Sequence, residues 1–371
     1  MLTGGGTAGH FYPLIAIAEA VNKIVDSEKL VKADLYYMST SAFDQKVLFD
    51  NDISFRLVFS GKARLYFSFL NFVDMFKIVI GIIKGLWSVY LLYPDVVISK
   101  GGYGSIPAVF AARVLRIPVI VHESDSVPGR ANMWASKFAE KVAVSWPEAA
   151  HFFPAERVAV TGQPVRTEIQ YPVSHGAFEY LHLEENVPVI FIIGGSQGAQ
   201  KINETVLDVL PKLLEKYQII HQTGAKNFEE VERTARIILE KHANKVRYKP
   251  FGYLNNLAMK MAAGATTLVI SRAGSTIFEI AAWGVPSIII PLTDSQGDHQ
   301  RKNAFNYSRT GACIVIEEYN LSPNILAAEV DRLMGNDALR KQMGDRAKTF
   351  FKPDAGEKIA RQAIEIALRH E

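Results

Sequence analysis

The chain has 371 residues, of which 49% are hydrophobic and 21% are charged. This balance excludes disordered and fibrous proteins, and the length suggests two domains of roughly 100–200 residues each. The net charge of +3, without a dense run of Lys or Arg, disfavours a nucleic-acid binder, so no nucleic-acid partner is predicted. Because Cys313 is the single cysteine, an intrachain disulfide is excluded and a reducing, cytosolic compartment is expected.

Two segments in the first third of the chain bear on its relation to membranes: the N-terminus and a long apolar stretch. The N-terminus lacks the pattern of a signal peptide, and only residues 1–3 precede a glycine-rich loop, so we expect a very short first strand or a missing N-terminal piece. Residues 65–93 are strongly apolar but are interrupted by Asp74, Lys77 and Lys84. This segment is too interrupted to span a bilayer, although it can lie on a membrane surface through side chains such as Phe69, Phe72 and Phe76. Near anionic headgroups we then expect Lys62, Arg64, Lys77 and Lys84. The alternative is a helix buried against a sheet.

Short β-branched runs alternate with longer helical patterns along the chain. The predicted strands are residues 96–99, 118–122, 142–145, 189–193, 218–222, 267–271 and 287–291. The predicted helices include residues 13–25, 106–115, 132–139, 202–217, 227–242 and 276–283. Such alternation is typical of βαβ units, so the sequence predicts an α/β fold with parallel sheets covered by helices.

The alternation falls into two halves, each opening with a strand, a glycine-rich turn and a helix. The two turns are residues 4–10 and 194–199. Residues 161–166 lie between the halves and contain the Gly and Pro of a linker, which puts the domain boundary near residue 164. The tail, residues 353–371, is predicted to be a helix that returns to the first domain.

Three glycine-rich loops follow predicted strands and precede helices: residues 4–10, 99–105 and 194–199. Glycine lets the backbone approach an anion closely, and a helix N-terminus offers unpaired N–H groups and partial positive charge. Two such loops in the first half suggest a diphosphate there, and Ser196 in the third can donate its hydroxyl to a phosphate. The alternative for each is a tight turn without a ligand. Their spacing does not match the dinucleotide motif, which disfavours hydride chemistry.

Four polar side chains near these turns are candidates for substrate chemistry. His10 is either a general base, a phosphate contact or a structural histidine. Glu279, one turn into a helix, can accept hydrogen bonds from a ribose diol, unless it is merely a solvated helix residue. Gln300 and Asn303 share a helical face and can bind sugar hydroxyls, unless they only form a polar helix start.

Taken together, seven ordered motifs are similar in order and spacing to those of the MurG family, the undecaprenyl-diphospho-muramoylpentapeptide N-acetylglucosaminyltransferases. They are GGGTAGH (4–10), SKGGYGSIPA (99–108), HESDSVPGRAN (122–132), GQPVR (162–166), GGSQGA (194–199), SRAGST with EIAAWGVP (271–276 and 279–286), and DHQRKNA (298–304). The resemblance covers nearly the whole chain. Ala8 replaces a usual family glycine, and Asp125 stands where the family commonly has asparagine.

The resemblance implies a GT-B fold, with two Rossmann-like domains whose parallel sheets face each other across a cleft. Residues 1–163 would bind the lipid-linked acceptor and the membrane, residues 164–352 would bind UDP-GlcNAc, and residues 353–371 would form the returning helix. The implied reaction is an inverting transfer of GlcNAc to the 4-hydroxyl of undecaprenyl-diphospho-MurNAc-pentapeptide, from lipid I to lipid II in peptidoglycan synthesis. The implied location is peripheral, on the inner face of the cytoplasmic membrane.

The resemblance also implies roles for individual residues. Catalytic candidates are His10, Asp125 and Glu123, with His10 and Asp125 the candidates for the base. Acceptor contacts are expected at Gly102, Tyr103, His122 and Asn132. Donor contacts are expected at Thr7, Arg166, Ser196, Leu254, Arg272, Thr276, Glu279, Gln300 and Asn303, with Leu254 meeting uracil through its backbone. Because no paired Asp motif is present, no metal and no other cofactor is predicted.

Two other classes of function compete with this one. Another GT-B glycosyltransferase or a UDP-GlcNAc epimerase would share the donor half but differ in the acceptor half. A catalytically silent nucleotide-sugar binding protein is disfavoured, because His10, Glu279, Gln300 and Asn303 are present together.

Overall fold

The computed structural model describes residues 1–61, 69–195, 198–293 and 295–369, without the side chains of residues 69–77 and Gln296. The chain divides into two compact units. The first unit is Met1–Arg166 together with Lys352–Glu371, and the second unit is Thr167–Phe351. This division lies a few residues beyond the boundary expected near residue 164.

The first unit is built on a parallel sheet with seven strands in its described part. The strands are β1 (Leu2–Thr3), β2 (Leu35–Ser39), β3 (Ile53–Leu57), β4 (Val97–Ser99), β5 (Val119–Glu123), β6 (Lys141–Val144) and β7 (Val158–Val160). Their order is β3-β2-β1-β4-β5-β6-β7. The connecting helices are α1 (Ala8–Glu28), α2 (Gln45–Asp50), α3 (Phe69–Leu92), α4 (Ile106–Leu115), α5 (Arg130–Ala135) and α6 (Pro147–Ala150).

The second unit repeats this plan with six described strands, all parallel, in the order β10-β9-β8-β11-β12-β13. They are β8 (Val189–Ile193), β9 (Gln218–Gln222), β10 (Tyr248–Phe251), β11 (Leu268–Ser271), β12 (Ser287–Ile289) and β13 (Cys313–Val315). The helices are α7 (Thr167–Gln170), α8 (Ala177–Tyr180), α9 (Gln200–Leu214), α10 (Phe228–Ile238), α11 (Asn256–Ala265), α12 (Thr276–Trp283), α13 (His299–Arg309), α14 (Pro323–Met334) and α15 (Asp337–Phe350). The prediction of an α/β fold with parallel sheets is therefore confirmed.

Each sheet is stabilised by apolar side chains from its strands and covering helices. The central strand β8 is buried at every position, as expected for a parallel strand covered on both faces. Helix α1 buries Phe11, Leu14, Ile17 and Val21, a stripe at helical spacing. Burial of such side chains contributes about 1.5–3 kcal/mol each, so these stripes fix which helix face meets the sheet.

The C-terminal helix α16 (Ala355–Leu368) packs on α1 in the first unit. A Cβ on Gly356 would lie only 3.2 Å from the Ala16 carbonyl oxygen, so glycine allows the two backbones to approach closely. The buried side chains of α16 that join the core of the first unit are Ile359, Ala360, Ala363 and Ile366. The tail of the chain therefore completes the first unit rather than the second.

Helix α3 packs on α4 and on the segment after β3 through its smallest residues. A Cβ on Gly85 would lie 3.0 Å from Pro107 Cβ, and one on Gly81 would overlap the carbonyl oxygen of Phe59. Val89, one turn further on, is fully buried. The other face carries bulky apolar side chains that are all more than half exposed: Val79, Ile80, Ile83, Trp87, Tyr90 and Leu91. Within the described ranges, no helix is both long enough and apolar enough to cross a membrane.

Candidate functional site

In each sheet the strand order reverses at the first strand of the unit. In the first unit β1 lies between β2 and β4, and in the second unit β8 lies between β9 and β11. Loops that leave the carboxyl ends of strands on either side of such a reversal form a crevice, where open α/β sheets bind ligands. All three predicted glycine-rich loops follow β1, β4 or β8 and therefore lie at these two positions.

In the first unit, the loops after β1 and β4 are in direct contact through glycine. A Cβ on Gly102 would lie 3.1 Å from Gly5 Cα and 3.4 Å from His10 Nε2. Gly102 also has a φ of +78°, a conformation that side chains rarely adopt. A larger residue at Gly102 would therefore displace the backbone of the first loop and the ring of His10.

His10 is oriented by the residue that precedes α1. Its Nδ1 lies 2.7 Å from Thr7 Oγ1, and both side chains are half-buried. When Nδ1–H donates to Thr7, Nε2 is the nitrogen that can accept a proton. Tyr103 lies close by, since a Cβ on Gly6 would be 3.7 Å from its hydroxyl oxygen. The structure thus brings together Thr7, His10, Gly102 and Tyr103 from the predicted set.

A second cluster lies in the loop after β5, where Glu123 is 4% exposed. Its Oε1 accepts from the Asp125 N–H at 2.9 Å, and its Oε2 accepts from the Gly129 N–H at 3.0 Å and from Asn132 Nδ2 at 2.9 Å. Burial raises the pKa of Glu123, as does Asp125, while Lys100 opposes the rise. Glu123 therefore shapes the loop that presents the half-buried Asp125.

His122 and Asn132 lie beneath this loop. His122 is fully buried, with Nε2 3.3 Å from Ser145 Oγ and 3.4 Å from the Gly162 carbonyl oxygen. Burial and, to a lesser degree, the charge of Lys100 hold the pKa of His122 well below its usual value, so its imidazole is neutral at neutral pH. Asn132 Nδ2 also donates to the His122 carbonyl oxygen at 3.2 Å. Both residues therefore support the loop after β5.

Two residues predicted to contact the donor, Thr7 and Arg166, lie in the first unit. Arg166 is 8% exposed, and its guanidinium carbon lies 3.8 Å from the centroid of the Tyr12 ring. This distance fits a cation–π contact. Tyr12 was not singled out from the sequence, because nothing in its local pattern distinguishes it from other aromatic residues of α1.

In the second unit, the glycine-rich loop after β8 is anchored by backbone hydrogen bonds. The Gly194 N–H donates to the Gln222 carbonyl oxygen at 3.1 Å, and the Gly198 N–H donates to the Gly195 carbonyl oxygen at 3.1 Å. Among the residues that the structure describes, no atom lies within 4 Å of a Cβ placed on Gly195, and the same holds for Gly274 in the loop after β11. Both loops therefore border open space. The predicted donor residue Ser196 lies outside the described residues.

Helix α12 follows the loop after β11, and its first turn holds Thr276 and Glu279, both half-buried. The partial positive charge at this helix N-terminus suits an anionic ligand. Arg272, just before the helix, donates from Nη1 to the Ile290 carbonyl oxygen at 3.2 Å and from Nη2 to Glu318. These bonds fix Arg272 against the neighbouring strand β12.

Glu318 is a residue that the sequence did not reveal. Its Oε2 accepts from both the N–H and the hydroxyl of Thr293 at 3.1 Å, while Oε1 accepts from Arg272. Burial raises the pKa of Glu318, but the bonds from Thr293 and Arg272 outweigh this and bring the pKa below its usual value. The ionised carboxylate thus joins the loops after β11 and β12. Its partners are distant in sequence, so no local signal could have identified it.

The remaining donor candidates are also tied to these loops. Gln300 Oε1 accepts from the Leu292 N–H at 3.0 Å. Asn303 is 1% exposed and donates from Nδ2 to the Ala273 carbonyl oxygen at 3.1 Å. The Leu254 N–H donates to Gln222 Oε1 at 3.1 Å. Among the described residues, no group of three or more His, Cys, Asp or Glu side chains is arranged to hold a metal ion.

Comparison with known proteins covers both units. Residues 1–144 match the glycosyltransferase family 28 N-terminal domain, and residues 189–359 match its C-terminal domain. A relative from Bacillus thuringiensis is a UDP-N-acetylglucosamine–N-acetylmuramyl-(pentapeptide) pyrophosphoryl-undecaprenol N-acetylglucosamine transferase. It is 38% identical over 356 residues, which are 94% of this chain and 96% of the relative. The transferase of the same description from Treponema denticola is 33% identical over 386 residues, covering 97% of this chain and 94% of the relative.

Solved structures agree with the sequence relatives. MurG of Acinetobacter baumannii is 26% identical with a TM-score of 0.71, and the match covers 98% of each chain. A UDP-GlcNAc 2-epimerase from Neisseria meningitidis has a TM-score of 0.65 at 16% identity, covering 99% of each chain, and shows a shared fold alone. The two parallel-sheet units and these matches confirm the predicted GT-B class. The chain therefore belongs to the MurG family within glycosyltransferase family 28.

Proposed function

We propose that this enzyme transfers GlcNAc from UDP-GlcNAc to the 4-hydroxyl of lipid-linked MurNAc-pentapeptide, which converts lipid I to lipid II. The observation that carries the proposal is 38% identity, over 94% of the chain, to a transferase whose name specifies both substrates. The two sets of glycine-rich loops support it, because both substrates carry a diphosphate that such loops can bind.

The second unit binds the donor. The N-terminus of α12 and the glycine loop after β8 hold the diphosphate, and Glu279 accepts hydrogen bonds from the ribose hydroxyls. Leu254 contacts uracil through its carbonyl oxygen, since its N–H already donates to Gln222. Gln300 and Asn303 lie beside the same loops and bind the GlcNAc hydroxyls.

The first unit binds the acceptor and supplies the base. Gly102 and Tyr103 contact the acceptor, and His10 Nε2 takes the proton from its 4-hydroxyl. The hydroxyl oxygen then attacks C1 of GlcNAc from the face opposite UDP, and the bond from C1 to the diphosphate oxygen breaks, which inverts the anomeric carbon. Thr7 keeps His10 in the tautomer that this step requires.

Departure of UDP is assisted from the second unit. Negative charge develops on the diphosphate as the C1–O bond breaks, and preorganised N–H groups at a helix N-terminus stabilise such charge without rearranging. Arg272 adds positive charge close to this loop, and its bonds to Ile290 and Glu318 hold it in place. Glu318 thus acts through Arg272, as a positioning residue.

Membrane docking follows from the lipid acceptor, because its isoprenoid tail stays in the bilayer while its sugar is bound. We assign this docking to the exposed apolar face of α3 defined above, on the inner face of the cytoplasmic membrane. Burial against α4 does not explain that face, since glycines rather than bulky residues make the packed side. Lys84 is exposed beside it and can pair with an anionic headgroup for about 1 kcal/mol. The remaining residues predicted for docking, Lys62, Arg64, Lys77, Phe69, Phe72 and Phe76, lie outside the described residues or side chains.

Flotation with anionic liposomes tests this docking. We expect the wild type to float with the vesicles and the Ile83→Ser/Trp87→Ser variant to lose most of its binding, because each apolar side chain inserted contributes roughly 1.5–3 kcal/mol. Ile237→Ser is the matched control, since Ile237 is 71% exposed on a helix of the second unit. A double variant that floats as well as wild type would exclude this face.

The proposed reaction is tested by following UDP release from UDP-GlcNAc with and without a lipid-diphosphate-MurNAc-pentapeptide acceptor. We expect release to depend on the acceptor. Conversion of UDP-GlcNAc to its 2-epimer without acceptor would instead support the epimerase, whose solved relatives share the fold. Binding of UDP-GlcNAc with no turnover under either condition would identify a silent binding protein.

A further inference from the structure

A buried lysine lies in the glycine loop after β4, and the transfer mechanism gives it no role. Lys100 is 3% exposed, and its N–H donates to the Thr3 carbonyl oxygen at 2.8 Å. Its ammonium donates to the hydroxyl of Ser124, the residue between Glu123 and Asp125. Because an unpaired buried ammonium is strongly unfavourable, neighbouring groups have to compensate this charge.

The hydroxyl that Lys100 contacts belongs to a buried polar network. Ser124 Oγ donates to Gln163 Oε1 at 2.7 Å, and Ser145 Oγ donates to the same oxygen at 2.8 Å. Lys100 follows β4, Ser124 follows β5, Ser145 follows β6 and Gln163 follows β7. Through this network the lysine connects the carboxyl ends of four neighbouring strands, from which the loops of the first-unit site leave.

The titratable groups that act on the pKa of Lys100 are Glu123 and Asp125. Burial lowers the pKa of Lys100, and the two carboxylates oppose this effect. In return, Lys100 lowers the pKa of Glu123 against the opposing effects of burial and Asp125.

The glycines after Lys100 link this network to the reaction site. A Cβ on Gly101 would lie 2.5 Å from Asn132 Oδ1, and one on Gly102 would lie 3.1 Å from Gly5 Cα. The segment therefore lies between Asn132, which is bonded to Glu123, and the loop after β1 that carries His10. A shift at Lys100 would move both loops.

We propose that Lys100 is a positioning residue for the transfer reaction. By bonding Ser124 and balancing the charges of Glu123 and Asp125, it holds the loop after β5 in register with the Gly102 loop and with the loop that carries His10. This role rests on the proposed function and adds to it a residue that does not touch substrate.

The test compares full-length Lys100→Met, Lys100→Arg and the surface control Lys23→Met in the transfer assay over a range of pH. We expect Lys100→Met to lower kcat about tenfold while KM for UDP-GlcNAc stays within roughly twofold, because only the acceptor side is displaced. Without the lysine the pKa of Glu123 rises, so its carboxylate protonates at higher pH. Protonation of the base His10 also contributes to the acidic limb of the kcat profile, so loss of Lys100 should add a second ionisation, and the limb should become steeper and begin at a higher pH. Lys100→Arg keeps the positive charge and should have the same acidic limb of the kcat profile as wild type. Lys23→Met should match wild type in kcat, in KM and in the pH profile.

The thermal stabilities of Lys100→Met and of Lys100→Met/Glu123→Gln show whether Lys100 acts through Glu123. We expect Lys100→Met/Glu123→Gln to unfold at a higher temperature than Lys100→Met, because no uncompensated buried carboxylate remains. If Lys100→Met folds too poorly for kinetics, this comparison of unfolding temperatures still tests whether Lys100 acts through Glu123. A double variant no more stable than the single one, or an acidic limb in Lys100→Met that superimposes on that of wild type, would overturn the proposal. An inactive wild type would instead contradict the proposed function.

Discussion

Replacing His10 by alanine should lower kcat by about 10²–10⁴-fold and leave UDP affinity unchanged. The magnitude is that of removing a general base from the transition state. His10 lies on the first-unit loop, with Nδ1 bonded to Thr7 at 2.7 Å and Nε2 close to Gly102, where the acceptor is proposed to bind. Steady-state kinetics at saturating UDP-GlcNAc, together with UDP calorimetry, measures both quantities.

Two further variants sharpen the His10 experiment. His151→Ala removes an exposed histidine of the same unit and should behave as wild type. Asp125→Asn restores the common family residue, and full activity in this variant would exclude the Asp125 carboxylate as the base. A loss below about threefold in His10→Ala would transfer the base role to Asp125 or to no side chain at all.

Replacing Glu279 by alanine should weaken UDP binding by about 1–3 kcal/mol, which is roughly five- to 150-fold in Kd, through loss of charge-assisted hydrogen bonds. The flanking residues Phe278 and Ile280 are buried, which fixes the rotation of α12 and leaves Glu279 half-buried on another face. Glu279→Gln, which keeps an acceptor oxygen but no charge, should lose less affinity than Glu279→Ala.

Calorimetry with UDP and the full-length protein is the appropriate measurement for Glu279. Glu215→Ala, at an exposed glutamate of the same unit, controls for the loss of one negative charge. Wild-type affinity in Glu279→Ala would remove Glu279 from the donor site. His10→Ala should bind UDP normally, so the two variants separate donor binding from catalysis.

The strands that the sequence analysis predicted were the interior ones, whereas the sheet edges were missed. The four edge strands β3, β7, β10 and β13, together with β2, were not predicted. Interior strands such as β8 are buried throughout and therefore appear as continuous apolar runs. Edge strands lack this signature: β10 contains Lys249 and Pro250, and β3 contains Arg56 among exposed positions. Their pairing depends on the rest of the sheet, which a local pattern does not contain.

The glycine loops of the site were predictable, but the residues that hold them were not. Glycine followed by an apolar helix is a local signal, and it identified all three loops. Lys100 lies inside one of these motifs, yet its contact with Ser124 spans 24 positions, and the contact of Arg272 with Glu318 spans 46. Such long-range pairs arise only when the strand order brings loop ends together, so single-sequence patterns do not reveal them.

For the apolar segment that includes α3, the sequence likewise predicted only part of what the structure shows. Its composition indicated either a membrane surface or burial, and the sequence left both open. Gly81 and Gly85, four residues apart, form the face that packs on Phe59 and Pro107, which leaves the bulky side chains exposed. Glycines at helical spacing were a usable signal for the packed face, but the identity of the neighbouring helix was not in the sequence.

The structure of the reaction product is the sharpest test of the proposed transfer. The purified enzyme would be incubated with UDP-GlcNAc and a lipid-diphosphate-MurNAc-pentapeptide, and the product would be examined by mass spectrometry and by NMR of the new glycosidic bond. We predict one added GlcNAc, joined through a β linkage to the 4-oxygen of MurNAc. An α linkage, a different position of attachment, or no product while UDP-GlcNAc is consumed would contradict the proposed transfer.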